Sequence, residues 1–167
     1  VTTVAAMGGA MTGVSGANFL IAETGGLNAM IVDSTALPEE VVREVLASAF
    51  NSAGQRCSAL RVLYLQDDVA PKVTRMLTGA LAALTVGDPS NVETDVGPVI
   101  DDEAKQSISA YSRKMEEDGR LVAKLDAPSG GRFVSPGIFR VSGISEMERE
   151  VFGPVLHLAT YEPEKID

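Results

Sequence analysis

The chain has 167 residues, 45% of them hydrophobic, and 14 Lys and Arg against 23 Asp and Glu give a formal net charge of −9 and a pI near 4.6. That is enough apolar material for one globular domain with a substantial core, while the acidic balance argues against tracking a nucleic-acid backbone or docking on an anionic membrane. A single cysteine excludes an internal disulfide and a cysteine-rich zinc site, so no metal centre is expected, the partner is expected to be a small molecule or another protein, and a reducing cytoplasm is the expected compartment.

Residues 1–22 carry no charge, but the stretch has no basic start, and Thr2, Thr3, Thr12, Ser15, Asn18 and several glycines dilute its apolar character. Neither a targeting leader nor a membrane span is expected from it. Gly8 and Gly13 have phosphate-loop spacing, yet Val14-Ser15 stands where that motif demands Lys followed by Ser or Thr. The run Leu27 to Asp33 reads as a buried strand closed by Ser34 and Thr35, and Pro38 suits the first turn of a helix. Val41, Val42, Val45, Leu46, Ala49 and Phe50 recur at helical spacing, so one face of this helix is expected to pack on a sheet as the chain runs towards Gly54. Cys57 then falls just past the helix end, on a connection into a second apolar run, Arg61 to Leu65, and loops held by rigid elements are where reactive groups commonly sit.

Asp67 and Asp68 are placed to cap a second helix, with Val69, Val73, Met76, Leu77, Ala80, Leu81 and Leu84 as its apolar face. Two turn-rich segments follow, Val86-Gly87-Asp88-Pro89 and Asp95-Val96-Gly97-Pro98-Val99, before a third helix opens at Asp101-Asp102 and buries Ile108, Tyr111 and Met115. Residues 119–145 read as short strands and loops, a polar helical turn covers Ser145 to Arg149, and residues 155–161 read as a last strand. Strand and helix alternate, which predicts an α/β domain with a parallel sheet and helical crossovers.

A lone thiol in Gly54-Gln55-Arg56-Cys57 and a carboxylate in Glu23-Thr24-Gly25-Gly26 are the parts of a covalent catalyst: a thiolate attacks, and a base activates the water that releases the thioester. Taken alone, the cysteine also fits a small buried hydrophobe, and the glutamate a solvated carboxylate. Those two segments and Glu150-Val151-Phe152-Gly153-Pro154-Val155, with Gly87-Asp88-Pro89 and Asp95-Val96-Gly97-Pro98 between them, resemble in content and order the signature segments of the aldehyde dehydrogenase superfamily. The likeness covers about residues 20–162. Around Glu23 and Cys57 the wording is most similar to the glutamate-semialdehyde (1-pyrroline-5-carboxylate) dehydrogenase module of bifunctional proline-utilisation enzymes.

The resemblance implies that Cys57 adds to the aldehyde carbon, that hydride passes to the nicotinamide of NAD to leave a thioester, and that Glu23 activates the hydrolytic water. A backbone N–H at the cysteine would help hold the oxyanion. It further implies that Glu150 accepts hydrogen bonds from the nicotinamide ribose, that Phe152 lies beside the cofactor, and that Gly25 and Gly26 let the backbone approach it closely. Ser58 would help bind the carboxylate of the substrate, and glutamate γ-semialdehyde becomes the expected substrate, on the route of proline breakdown. Read without the family, Glu148 to Glu150 make an ordinary charged turn, Phe152 a core residue and Ser58 nothing in particular. Arg56 is expected to point away from the neighbouring thiol, and His157, in an apolar run, to be a packed structural histidine.

The family's Gly-Ser-Thr turn, its oxyanion-hole Asn and a cofactor-binding Lys are missing ahead of Glu23. Residues 1–19 are therefore expected to form a divergent glycine-rich start, with a partial aldehyde dehydrogenase catalytic domain over residues 20–167. The chain is expected to be the catalytic segment of a longer enzyme. A truncated, non-catalytic interaction or assembly module is the alternative, and a homo-oligomer is the expectation from the family's habit.

Overall fold

The computed structural model of the chain describes residues 26–165. In chain order the elements are β1 (Asn28–Val32), α1 (Pro38–Phe50), a 3₁₀ turn at Asn51–Gly54, β2 (Leu60–Gln66), α2 (Ala70–Ala82), α3 (Asp102–Glu117), β3 (Leu121–Lys124), β4 (Gly137–Arg140), a 3₁₀ turn at Ile144–Glu146, β5 (Val155–Tyr161) and a closing 3₁₀ turn at Pro163–Lys165. They build an α/β domain around a five-stranded sheet of order β1-β2-β5-β4-β3. The pairs β1–β2, β2–β5 and β5–β4 are parallel, and β3 joins β4 antiparallel at the edge. The expected parallel sheet with helical crossovers is therefore present with one antiparallel edge strand. The short span from Lys124 to Gly137 contains no helix to carry the chain back across the sheet, and an antiparallel return needs none.

The centre of the sheet is its driest part. Leu63 and Leu65 on β2 and Leu156 and Leu158 on β5 are at most 1% exposed, and burying each such side chain contributes roughly 1.5–3 kcal/mol. Helix α1 forms where the spacing predicts it. Pro38 occupies its first turn with Glu39 and Glu40, whose charges suit the positive end of the helix dipole, and Val41, Val42, Val45, Ala49 and Phe50 are buried. On α2 the residues Val73, Leu77 and Leu81 go inside, and α1 and α2 pack on one another and on β2. The capping expected of Asp67 and Asp68 does not occur. Val69 holds the cap position in a helical conformation, with no side-chain cap, and the Asp67 N–H instead donates to the Tyr161 carbonyl at 3.0 Å, extending the β2–β5 pairing. Pro71 lies in the first turn, so one of the unpaired N–H groups that a cap would serve is absent.

Helix α3 starts where the sequence placed it, on a cap in which Asp101 Oδ1 accepts from Ala104 N at 2.8 Å. Ile108 and Met115 are buried and Tyr111 is half-buried, its hydroxyl 2.7 Å from His157 Nε2 on β5. His157 is fully buried, its Nδ1 lies 2.9 Å from the Arg61 carbonyl, and burial pushes its pKa below the usual 6.5. It is the packed histidine the sequence suggested. Strand β1 departs from the expectation of full burial: it is an edge strand, and Ile31 is 61% exposed. Among the described residues no helix is long and apolar enough to cross a membrane.

Candidate active site

Three parallel strands that neighbour one another, β1, β2 and β5, begin at the same end of the sheet. The segments entering them are the segments the sequence singled out: Gly26 precedes β1, Gly54 to Cys57 precede β2, and Glu150 to Gly153 precede β5. Parallel pairing therefore converts a long separation in sequence into contact. Gly26 N donates to Glu150 Oε2 at 2.9 Å across 124 residues. Glu23 and Gly25 lie outside the described residues.

Cys57 is a free, exposed thiol, and Ser58 beside it is exposed as well. The loop that carries them is held from several sides. Helix α1 ends at Phe50, and Ser52, Ala53 and Gly54 then all adopt left-handed backbone angles, with φ of 56°, 53° and 67°. Only for glycine is that conformation free of steric cost. A Cβ on Gly54 would also stand 2.1 Å from the Gly153 carbonyl oxygen and 2.9 Å from that of Ala49, so the Cys57 loop and the β5 entry interlock through bare backbone. Asn28, the first residue of β1, donates from Nδ2 to the carbonyls of Cys57 at 2.7 Å and Ala59 at 3.0 Å. Gln55 Oε1 accepts from Ile100 N at 2.8 Å, which ties the loop to the turn leading into α3. Arg56 points away from the thiol, as expected. Its Nη2 donates to the Ala47 and Ser48 carbonyls at 2.9 and 3.0 Å, capping the end of a helix with no basic residue in its last turn.

Arg61 is the residue that reading along the sequence did not single out. It is fully buried. Its Nε donates to Glu150 Oε1 at 2.9 Å, Nη1 to Gly153 O at 3.1 Å, and Nη2 to Gly54 O at 2.7 Å and Arg56 O at 3.4 Å. Nη2 also lies 2.9 Å from Glu150 Oε1, and the guanidinium stands over the Phe152 ring, 5.3 Å from its centroid. Burial pulls the guanidinium pKa below its usual value, and the Glu150 carboxylate opposes that pull. The signal was a charged residue opening an otherwise apolar run, because a buried cation needs a partner. Asn28 and Gln55 gave no comparable signal, since amides at strand and helix ends are commonplace.

Glu150 is thus part of an ion pair with its carboxylate still 18% exposed, and Phe152 is 40% exposed, not a core residue. Among the described residues, a Cβ on Gly26 would meet only Asn28 Oδ1, at ordinary contact distance. The described residues therefore do not demand glycine there, and a bare glycine lets a ligand come close to the backbone. An exposed ring, a reachable carboxylate and a bare glycine together fit the nicotinamide and ribose end of a dinucleotide. A neighbouring cavity of about 210 Å³ is lined by Glu150 and Phe152 with Gln55, Ile100, Ile108 and Tyr111, and not by Cys57.

A family model for the aldehyde dehydrogenase family matches residues 6–165. The chain belongs to the aldehyde dehydrogenase family. It is 53% identical over 150 residues to the bifunctional protein PutA of Salmonella typhimurium, a match that covers 85% of this chain and 11% of PutA. To 1-pyrroline-5-carboxylate dehydrogenase of Geobacillus thermodenitrificans it is 36% identical over 143 residues, covering 84% of this chain and 28% of that protein. Among solved structures, a bifunctional proline utilization A protein superposes with a TM-score of 0.89 at 49% identity, over 98% of this chain and 17% of that one. A betaine aldehyde dehydrogenase variant of Staphylococcus aureus in complex with NAD+ matches with a TM-score of 0.77 at 27% identity, over 86% of this chain and 30% of that one. The chain spans about a tenth of the length of the first curated relatives it matches. The aldehyde dehydrogenase fold expected from the sequence is the fold of these proteins.

Proposed function

We propose that this chain supplies the nucleophile and the nicotinamide-facing wall of an NAD-dependent dehydrogenase that oxidises glutamate γ-semialdehyde to glutamate in proline breakdown. The observation that carries the reading is the meeting of Gly26, the Cys57 loop and Glu150 at the entry to three adjacent parallel strands. A 1-pyrroline-5-carboxylate dehydrogenase and proline-utilisation proteins among the relatives support the substrate, and a relative in complex with NAD+ supports the cofactor.

In this reading the Cys57 thiolate adds to the aldehyde carbon, and a backbone N–H at the cysteine receives the oxygen that becomes negative. The Asn28 amide fixes the Cys57 carbonyl and with it the direction of the peptide that leads to Ser58, whose hydroxyl meets the carboxylate of the substrate. Glu150 and Phe152 hold the ribose and nicotinamide end of NAD, with Gly25 and Gly26 leaving room beside it. When bound, NAD supplies the two-electron acceptor that turns the sulfur adduct into a thioester. Glu23 then takes a proton from the water that attacks the thioester, releasing the acid and restoring the thiol.

The test is NADH formation by the full-length protein with glutamate γ-semialdehyde, run beside Cys57→Ala and with aliphatic aldehydes as competitors. Turnover that disappears in Cys57→Ala, with the semialdehyde preferred, is the expected result. Turnover that persists without the thiol removes the mechanism, and a preference for aliphatic aldehydes removes the substrate.

A further inference from the structure

The guanidinium of Arg61 touches both halves of the site. On the thiol side it donates to the carbonyls of Gly54 and Arg56, the latter bonded directly to the Cys57 nitrogen. On the other side it donates to the Gly153 carbonyl and to Glu150 Oε1, and it stands over Phe152. We propose that Arg61 is a positioning residue that couples the Cys57 loop to the Glu150–Gly153 segment, so that the thiol and the carboxylate that would meet the cofactor ribose are held as one body, a role that rests on the reading of Cys57 and Glu150 given above.

Three features carry this. Filling the same space with an apolar side chain would avoid desolvating a charge, so stability alone does not account for a fully buried arginine here. Next, the contacts require a planar fork: Nε, Nη1 and Nη2 each reach a different acceptor, a pattern that a lysine ammonium at the end of a flexible stem does not reproduce. Finally, Arg61 takes up only Oε1 of Glu150, while Oε2 accepts from Gly26 N. A carboxylate has about four acceptor positions, so Oε2 keeps capacity for a ribose hydroxyl while Oε1 anchors it. Gly54 makes the coupling tight, since a Cβ there would stand 2.1 Å from the Gly153 carbonyl oxygen and force apart the two segments that Arg61 ties together.

The experiment uses the full-length protein with Arg61→Lys and Glu150→Gln, each checked for native circular dichroism, and two readouts that need no turnover. One is the Kd for NAD from fluorescence titration. The other is iodoacetamide alkylation followed at the Cys57 peptide by mass spectrometry, taken on the plateau of its pH profile so that the thiolate fraction drops out. Arg61→Lys is expected to raise the Kd for NAD by about fivefold or more, because it leaves the Glu150 charge in place and disturbs only its placement. Glu150→Gln is expected to raise the plateau alkylation rate about threefold or more, because loosening one end of the fork loosens the loop at the other. Either readout staying within about twofold of wild type in a folded variant overturns the coupling. If Arg61→Lys does not fold, the alkylation result with Glu150→Gln decides alone. Loss of the nucleophile reading is seen separately, as turnover that survives Cys57→Ala, and loss of the cofactor reading as wild-type protein that does not bind NAD.

Discussion

Substituting alanine at Gly54 and at Gly79 applies the same chemical change to two positions for which the structure predicts opposite signs. Gly79 lies inside α2, and among the described residues nothing beyond the helix's own backbone stands within 4 Å of the Cβ it would acquire. Alanine there removes conformational freedom from the unfolded chain at no steric cost, and is expected to stabilise by about 0.5–1 kcal/mol. At Gly54 the backbone has φ +67°, and the new Cβ would stand 2.1 Å from the oxygen and 2.6 Å from the carbon of the Gly153 carbonyl, and 2.9 Å from the Ala49 oxygen. An L residue in the left-handed region costs about 1–2 kcal/mol, and forcing packed groups apart costs about 1–3 kcal/mol more. All the clashing atoms are backbone, which has no rotamer to change, so the total is expected to be about 2–5 kcal/mol. That is a large part of the ~5–15 kcal/mol that holds a typical domain folded. The assay is urea denaturation followed by circular dichroism on wild type and both variants, paired with thermal melts. Gly54→Ala is expected to lower the midpoint, Gly79→Ala to raise it. Equal midpoints for the two variants would refute the interlock between the Cys57 loop and the β5 entry.

Asn28→Asp would turn a carboxylate towards the Cys57 and Ala59 carbonyls that the amide now serves, and is expected to lower kcat by about tenfold or more with a smaller change in the KM for NAD; unchanged kcat would free the loop from β1. Asp101→Ala removes the cap on Ala104 N and is expected to cost about 1 kcal/mol in urea denaturation without altering Cys57 alkylation; a cost near zero would remove the cap from the folding balance. Burial holds His157 below its usual 6.5, so the folded protein keeps the imidazole neutral at pH values where the unfolded chain takes up a proton. Stability from this group is therefore flat above that pH and falls as the pH drops below it. Melting temperatures of wild type and His157→Phe, compared at about pH 7.5 and about pH 5.5, are expected to show the smaller acid loss in the variant, and identical losses would place the acid sensitivity elsewhere.

Local pattern alone identified α1 and α3 together with the sides they bury, placed β5 at residues 155–161 and drew attention to the lone thiol of Cys57, whereas Glu150 and Phe152 stood out only through the family resemblance. These were legible because helical and strand periodicity record which side of an element meets the core, and the record is complete within a dozen residues. The short connection ahead of β4 was not periodic, and its antiparallel neighbour became known only through pairing. The left-handed turn through Ser52 and Ala53 gave no sign either, because neither residue type favours that conformation and only the packing around Gly54 imposes it. Above all, the partners of Arg61 were invisible along the chain. Its bonds to Glu150 and Gly153 join residues 89 and 92 positions away, and nothing in a local run of side chains specifies an acceptor that arrives only when parallel strands β2 and β5 are laid side by side. The sequence by itself determined which reactive side chains the chain carries and in what order; the tertiary structure decided which of them touch, because parallel strands bring together loops that are remote in the chain.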